Sequence, residues 1–197
     1  MIAAVVLAAG LARRYGSAKL LVPLDGAPLI RRTVERTLAS AVSETVVVIA
    51  PNDEAIAEAL RGLPVRLVEN PDHASGMAGS IAAGVRALPP RARAVLIVLG
   101  DQPTVPPDVI GRLVTAWRET SQPIVVPMYH GTQGNPVLFD AAVFTELRSL
   151  VGERGGREVV ERDQRRVATI AVDSPPPPDL DRPEELEVVR RAWKEGL

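Results

Sequence analysis

The chain has 197 residues, and at about 150 residues per domain one ordinary domain is the expectation, long enough to bury a core without disulfide or metal staples. Hydrophobic residues make up 46% and charged residues 24%, proportions that exclude a disordered, collagenous or coiled-coil chain. Lys plus Arg is 23 against 24 Asp plus Glu, for a net charge of −1 with no cysteine, which offers no bulk positive field for nucleic acid, excludes thiolate chemistry and disulfides, and fits a reducing cytoplasm.

Apolar β-branched runs recur at Ala3–Leu7, Thr45–Ile49, Val65–Val68, Ala94–Leu99 and Ile124–Val126. Each is continuous, the pattern of parallel strands covered on both faces. The first run, Ile2 to Gly10, lacks a basic flank and is too short to span a bilayer, so it reads as a buried strand and no membrane contact is expected. Helical periodicity fills the gaps: Leu29 to Leu38 behind Pro28, Ala55 to Leu60 behind Asn52-Asp53, Ile81 to Leu88, and Val109 to Trp117 behind Pro106-Pro107. Strand and helix therefore alternate through residue 120. Right-handed crossovers turn that order into an α/β, doubly wound, mostly parallel sheet with helices on both faces, and ligands bind at the carboxyl ends of such strands.

The last third is less regular. A strand near Asn135–Phe139, a helix from Asp140 to Leu150, a short helix near Gly156–Glu161, a strand Val167–Val172 and a terminal helix Pro183–Trp193 are expected. The four prolines 175–178 form a stiff extended spacer, too short for a domain linker, that carries the chain back across the sheet top to Asp179 and Asp181.

Four segments could carry chemistry. The loop from Leu7 through Ala8, Ala9 and Gly10 to Lys19 leaves the first strand at its ligand end. Its small residues permit close backbone approach, and Arg13, Arg14 and Lys19 supply charge for phosphates, although it is neither a Walker loop nor GxGxxG. Only Lys19 and Lys194 are lysines among the 23 basic residues, so a lysine kept at position 19 suggests that a compact ammonium is wanted there. Asp101 follows directly on the strand Ala94–Leu99, where a carboxylate beside a phosphate loop suits magnesium as well as a simple Asp-initiated turn. Asn70 to Ser80 joins a strand to a helix beginning near Gly76, whose exposed amides, with Met77 and Ser80, could hold a nucleotide. His73 there reads as a loop histidine. Asp179 and Asp181 precede a helix whose first turn holds Pro183, and Asp181 fits a metal ligand and an ordinary helix start equally.

Together these segments resemble the Rossmann-like nucleotidyltransferases, and most closely the molybdenum cofactor cytidylyltransferases, over almost the whole chain. That family's Ala-Ala-Gly-x-Ser-x-Arg-x-Gly-x-x-Lys falls on Ala8 to Lys19, with Ala12 in place of Ser and the arginine and lysine on Arg14 and Lys19. Its Asn-Pro-x-x-x-x-Gly-Met falls on Asn70 to Met77, its Gly-Asp-Gln/Met-Pro on Gly100 to Pro103, and its late Asp-x-Asp on Asp179 and Asp181. Asn135 stands where the family's Gly-His-Pro has His, and Gly152 to Arg157 matches a segment usually reading Gly-Asp-x-Gly-Ala-Arg.

The resemblance implies magnesium-dependent transfer of CMP from CTP to the terminal phosphate of molybdenum-bearing molybdopterin, with release of pyrophosphate. It implies a single domain over 1–197, with a nucleotide-binding half at 1–120 and an acceptor-binding half at 121–197. Lys19, Arg14 and Asp101 would be catalytic, and Asp101 with Asp181 would hold Mg2+. Leu7, Ala8, Ala9, Gly10, Gly76, Met77 and Ser80 would bind the nucleotide, and Asn135 and Arg157 the acceptor. A transient contact with a target molybdoenzyme or its chaperone follows from the same resemblance. Ala8-Ala9-Gly10, rather than a loop richer in glycine, favours cytosine. Two alternatives stay open: a cytidylyl-, uridylyl- or guanylyltransferase acting on another phosphate acceptor, and a carrier that binds molybdopterin without turnover.

Overall fold

The computed structural model describes residues 1–10, 15 and 19–196. In chain order these form β1 (Ile2–Leu7), β2 (Pro23–Leu24), β3 (Ala27–Pro28), α1 (Leu29–Leu38), β4 (Glu44–Ile49), α2 (Glu54–Ala59), β5 (Arg66–Glu69), α3 (Met77–Arg86), β6 (Ala94–Leu99), α4 (Pro107–Thr120), β7 (Ile124–Tyr129), β8 (Thr132–Gln133), β9 (Val137–Asp140), α5 (Phe144–Arg148), α6 (Gly156–Arg162), β10 (Val167–Val172) and α7 (Leu186–Lys194). The main sheet runs β10-β7-β9-β6-β1-β4-β5, with β8 paired to β7. Its strands are parallel except β9, antiparallel to both β6 and β7, and β8, antiparallel to β7.

The continuous apolar runs bury both faces of the sheet. Along β1, Ile2, Ala4 and Val6 enter one core with Leu29 and Val34 of α1, Ile56 of α2, Leu113 of α4 and Val189 of α7. Ala3 and Val5 enter the opposite core with Ile81 and Val85 of α3, Leu147 of α5 and Val159 of α6. This is the doubly wound arrangement that the alternation of strands and helices requires. Among the described residues no helix is long and apolar enough to cross a membrane.

Three expectations change. The run Val65–Val68 becomes β5 at the outer end of the sheet, paired only with β4, and Leu67 there is 37% exposed. An apolar run cannot distinguish an edge from an interior strand, because helices cover a strand's faces while only a neighbouring strand covers its edge. The helix expected from Asp140 to Leu150 begins late: Asp140 ends β9, its Oδ1 accepts from the Ala142 N–H at 2.8 Å, and a 3-10 turn precedes α5. Its Oδ2 also accepts from Trp117 Nε1 at 2.9 Å, so this aspartate joins β9 to α4. The terminal helix likewise opens with a 3-10 turn at Pro183–Glu185, and α7 starts at Leu186.

The topology places β1 and β6 side by side in the middle of the sheet, in register from Ile2 opposite Ala94 to Leu7 opposite Leu99. Their carboxyl ends stay together one residue further, where the Gly100 N–H donates to the Leu7 carbonyl at 3.0 Å. A Cβ on Gly100 would lie 2.6 Å from that oxygen, so only glycine permits this approach. The loop after β1 and the turn after β6 thus leave the sheet as neighbours.

Candidate functional site

Lys19 opens a short 3-10 turn, Lys19–Leu21, anchored by the buried side chain of Leu20. Its Nζ donates to Asp101 Oδ2 at 2.6 Å and to Asp181 Oδ1 at 3.2 Å. The Lys19 and Asp101 side chains are only 14% and 18% exposed, and Asp181 is 45% exposed. Burial by itself would lower the Lys19 pKa, but the Asp101 and Asp181 carboxylates more than offset it and hold the ammonium above the usual lysine value. The lysine stays charged.

Asp101 is delivered by the turn after β6, and Asp181 by the strap that follows the four prolines. Leu180 fixes that strap by burying completely in the core beneath it. Glu185 fixes the other side, its Oε2 accepting from the Asp181 and Arg182 N–H groups at 2.6 and 2.8 Å. Asp179 accepts at Oδ1 from Gln102 Nε2 at 2.6 Å. Burial, and then the negative charge of Asp101, push the Asp179 carboxyl above its ordinary value.

Lys19, Asp101 and Asp181 line a cavity of about 320 Å³, which Leu7, Ala9, Gly10, Gly76, Met77 and Ser80 also line. That volume suits a small-molecule ligand. The loop before α3 is ordered by Asn70, whose Nδ2 donates to Ser80 Oγ at 3.1 Å and whose Oδ1 accepts from the Asp72 N–H at 3.1 Å. Gly76 enters α3 at φ 113°, and a Cβ there would lie 2.5 Å from the Gly152 carbonyl oxygen. That same oxygen accepts from the Ala78 N–H at 3.1 Å, so the loop before α6 packs directly on the start of α3.

A second cavity of about 350 Å³ is lined by Asn135, Arg154, Arg157, Gln133 and Phe139. Met77, Leu99 and Glu153 line both cavities, so the two adjoin. Arg157 Nε donates to Glu161 Oε1 at 2.8 Å, and Arg154 also pairs with Glu161. The Asn135 carbonyl accepts from Tyr129 Oη at 2.7 Å.

Most residues singled out in the sequence therefore converge. Ala8 does not reach the cavity: its side chain is buried in the core and its N–H donates to the Val48 carbonyl at 2.8 Å. Arg14 and Arg13 lie outside the described residues. Three participants were not foreseen as such. Glu153 bridges the cavities, His73 lines the first one, and Gln102 holds Asp179. Glu153 stands in the motif from Gly152 to Arg157 without a role of its own there, and nothing local ties Gln102 to a residue 77 positions away.

The donor set at Lys19 suits a hard cation. Asp101 and Asp181 each bring a carboxylate oxygen within 3.2 Å of one point, the Lys19 nitrogen. No group of three or more His, Cys, Asp or Glu side chains able to hold an ion occurs among the described residues. An ion here would take its other ligands from substrate oxygens and water, as magnesium does when one or two carboxylates hold it.

A mostly parallel sheet with a ligand-sized cavity at the carboxyl ends of its strands is the architecture of the Rossmann-like nucleotidyltransferases. The chain belongs to the MobA-like NTP transferase domain family, whose model matches residues 4–169. It is 30% identical to the purine catabolism protein PucB of Bacillus subtilis over 200 residues, covering 95% of each chain. It is 23% identical to the molybdenum cofactor cytidylyltransferase of Escherichia coli over 134 residues, 68% of this chain and 67% of that one. A protein of Mycobacterium tuberculosis solved as a complex with manganese is similar with a TM-score of 0.81 and 26% identity, covering 96% of this chain and 98% of its own.

Proposed function

We propose that this chain transfers CMP from CTP to the terminal phosphate of molybdenum-bearing molybdopterin and releases pyrophosphate. The observation that carries the reading is the charged Lys19 ammonium, held between two carboxylates in one cavity that adjoins a second cavity bearing two arginines. The first cavity suits a nucleoside triphosphate and the second an anionic acceptor. Membership of the MobA-like family and likeness to a molybdenum cofactor cytidylyltransferase support the acceptor. In this reading residues 1–120 form the nucleotide half of one domain and 121–197 the acceptor half.

The chemistry needs no general base, because a phosphate monoester is already ionised at neutral pH. An oxygen of the acceptor phosphate attacks the α-phosphorus of CTP, a phosphoanhydride forms, and the bond to the β-phosphate oxygen breaks with pyrophosphate leaving. Lys19 stabilises the charge that builds on the α-phosphate, and Arg14 the β,γ-phosphates. Leu7, Ala9, Gly10, Gly76, Met77 and Ser80 position the nucleotide, while Asn135 and Arg157 orient the acceptor. Asp101 and Asp181 would hold Mg2+, which when bound neutralises phosphate charge. The product passes to a molybdoenzyme or its chaperone in the cytoplasm.

A second acceptor class stays in play, because the 30% identical Bacillus relative bears a name from purine catabolism. The test is pyrophosphate release by the purified protein with Mg2+ and molybdenum-bearing molybdopterin, offering CTP, GTP, ATP and UTP in parallel. Release with CTP that needs the acceptor supports the proposal. Release with GTP alone overturns the base, and release only with a sugar or alcohol phosphate overturns the acceptor.

A further inference from the structure

Asp181 sits on a strap, whereas Asp101 sits on a turn at the end of a central strand, and the two must meet at Lys19. Leu180 and Glu185 hold the strap to the core and to its own helix. The Gln102–Asp179 hydrogen bond at 2.6 Å joins it to the turn that carries Asp101. Gln102 is the residue next to Asp101, is 6% exposed, and has its backbone N–H fixed to the Leu99 carbonyl at 3.3 Å. Neither Gln102 nor Asp179 lines the 320 Å³ cavity, although Asp101 and Asp181 both do. The pair thus links the two segments that carry Asp101 and Asp181 without itself lining the cavity.

We propose that Gln102 is a positioning residue: by donating to Asp179 it locks the strap to the end of β6 and so sets Asp181 against Asp101 across the Lys19 ammonium. Asp179 is then a strut and supplies no oxygen to a cation or a phosphate. A neutral donor suits this place, because a carboxylate at position 102 would repel Asp179 and an apolar side chain would leave the Asp179 carboxylate without this partner. The inference rests on the proposed metal-assisted transfer for its meaning, yet the geometry it concerns can be tested without turnover.

The experiment is a Mn2+ titration followed by electron paramagnetic resonance, with and without CTP, on the full chain and on Gln102→Met, Gln102→Glu, Asp179→Asn and Asp179→Ala. A charge-assisted hydrogen bond lost from a shaped site weakens what it positions by roughly tenfold or more. Gln102→Met, Gln102→Glu and Asp179→Ala should therefore weaken Mn2+ binding by about that factor, with the melting temperature within a few degrees of the parent. Asp179→Asn keeps an acceptor oxygen and should stay within about threefold of the parent, a rescue that a cation-ligating Asp179 would not allow. Adding Asp179→Ala to Gln102→Met should cause little further loss, because both release the same brace. Mn2+ affinity unchanged in Gln102→Met, equal losses in Asp179→Asn and Asp179→Ala, or a parent protein that binds no Mn2+ would each overturn the proposal. Should Gln102→Met fail to fold, the two Asp179 variants decide alone. A parent that binds Mn2+ but transfers no nucleotide to any acceptor would defeat the functional reading and leave this one standing.

Discussion

Replacing Lys19 with methionine separates what the ammonium does for the fold from what it does for the reaction. The 2.6 Å contact with Asp101 joins two side chains that are 14% and 18% exposed, so it falls among charged hydrogen bonds contributing roughly 1.5–3 kcal/mol. The Asp181 contact is 3.2 Å long to a 45% exposed group, and screening reduces it to roughly 0.5 kcal/mol. Burying the ammonium offsets part of this, leaving a net loss of about 2 kcal/mol, or roughly 4–8 °C in melting temperature for a domain of this size. Because its partners raise the Lys19 pKa above 10.5, the stabilisation is complete below about pH 10.5 and fades as pH rises through the raised folded value. The stability gap between parent and variant should thus be flat from pH 7.5 to 9.5 and close in more alkaline solution. Turnover should fall much further, by three orders of magnitude or more, since the charge faces the reacting phosphate. Thermal melts across pH and pyrophosphate release by the folded variant check both halves. A variant whose turnover falls only with its folded fraction, or whose stability gap widens above pH 10.5, would refute the reasoning.

Three further outcomes are expected. Asp101→Asn should lower turnover by at least a hundredfold and raise the Mg2+ concentration needed for half-maximal rate, which a metal titration of initial rates measures; an unchanged metal dependence would remove Asp101 from the ion site. Gly76→Ala should destabilise by about 1–3 kcal/mol and raise the KM for nucleotide, because the new Cβ meets the Gly152 carbonyl at 2.5 Å with φ at 113°; an unchanged melt would contradict the close packing. Arg157→Ala should raise the KM for the acceptor while leaving the KM for CTP within about twofold, with little change in stability because its ion pair with Glu161 is solvent-exposed; equal effects on both substrates would move Arg157 out of the second cavity.

The doubly wound core was legible because its information is local. Continuous runs such as Ala94–Leu99, between segments of helical period, leave few arrangements once crossovers are right-handed. The meeting of Lys19 with Asp101 is consistent with the same logic, since Asp101 sits two residues beyond β6 and the loop that leads to Lys19 departs from the neighbouring β1. Less of the second half could be read. The antiparallel direction of β9 depends on how β6 and β7 leave a slot between them, which no periodicity in Val137–Asp140 records. Asp140 has a helix-start signature and does cap a turn, but the turn is the 3-10 turn before α5, and Asp140 also closes β9 and accepts from Trp117. Gln102 and Glu153 lie within recognisable motifs, but their roles are not legible there, because the partner of one lies 77 residues along the chain and the other lines the walls of two cavities. Ala8 differs from its neighbours. Its small size within a promising loop suggested ligand contact, whereas it packs inward while Ala9 and Gly10 face the cavity.

The central claim is that a nucleotide α-phosphate is transferred across the junction of two cavities under the Lys19 ammonium. It is tested most directly by incubating the protein with Mg2+, molybdenum-bearing molybdopterin and CTP carrying 32P at the α-position, then separating nucleotide, acceptor and product. The account predicts label in a molybdopterin–cytosine dinucleotide, with unlabelled pyrophosphate formed in equal amount and both lost in Lys19→Met. Label remaining in CTP, or transferred equally well by Lys19→Met, would contradict it.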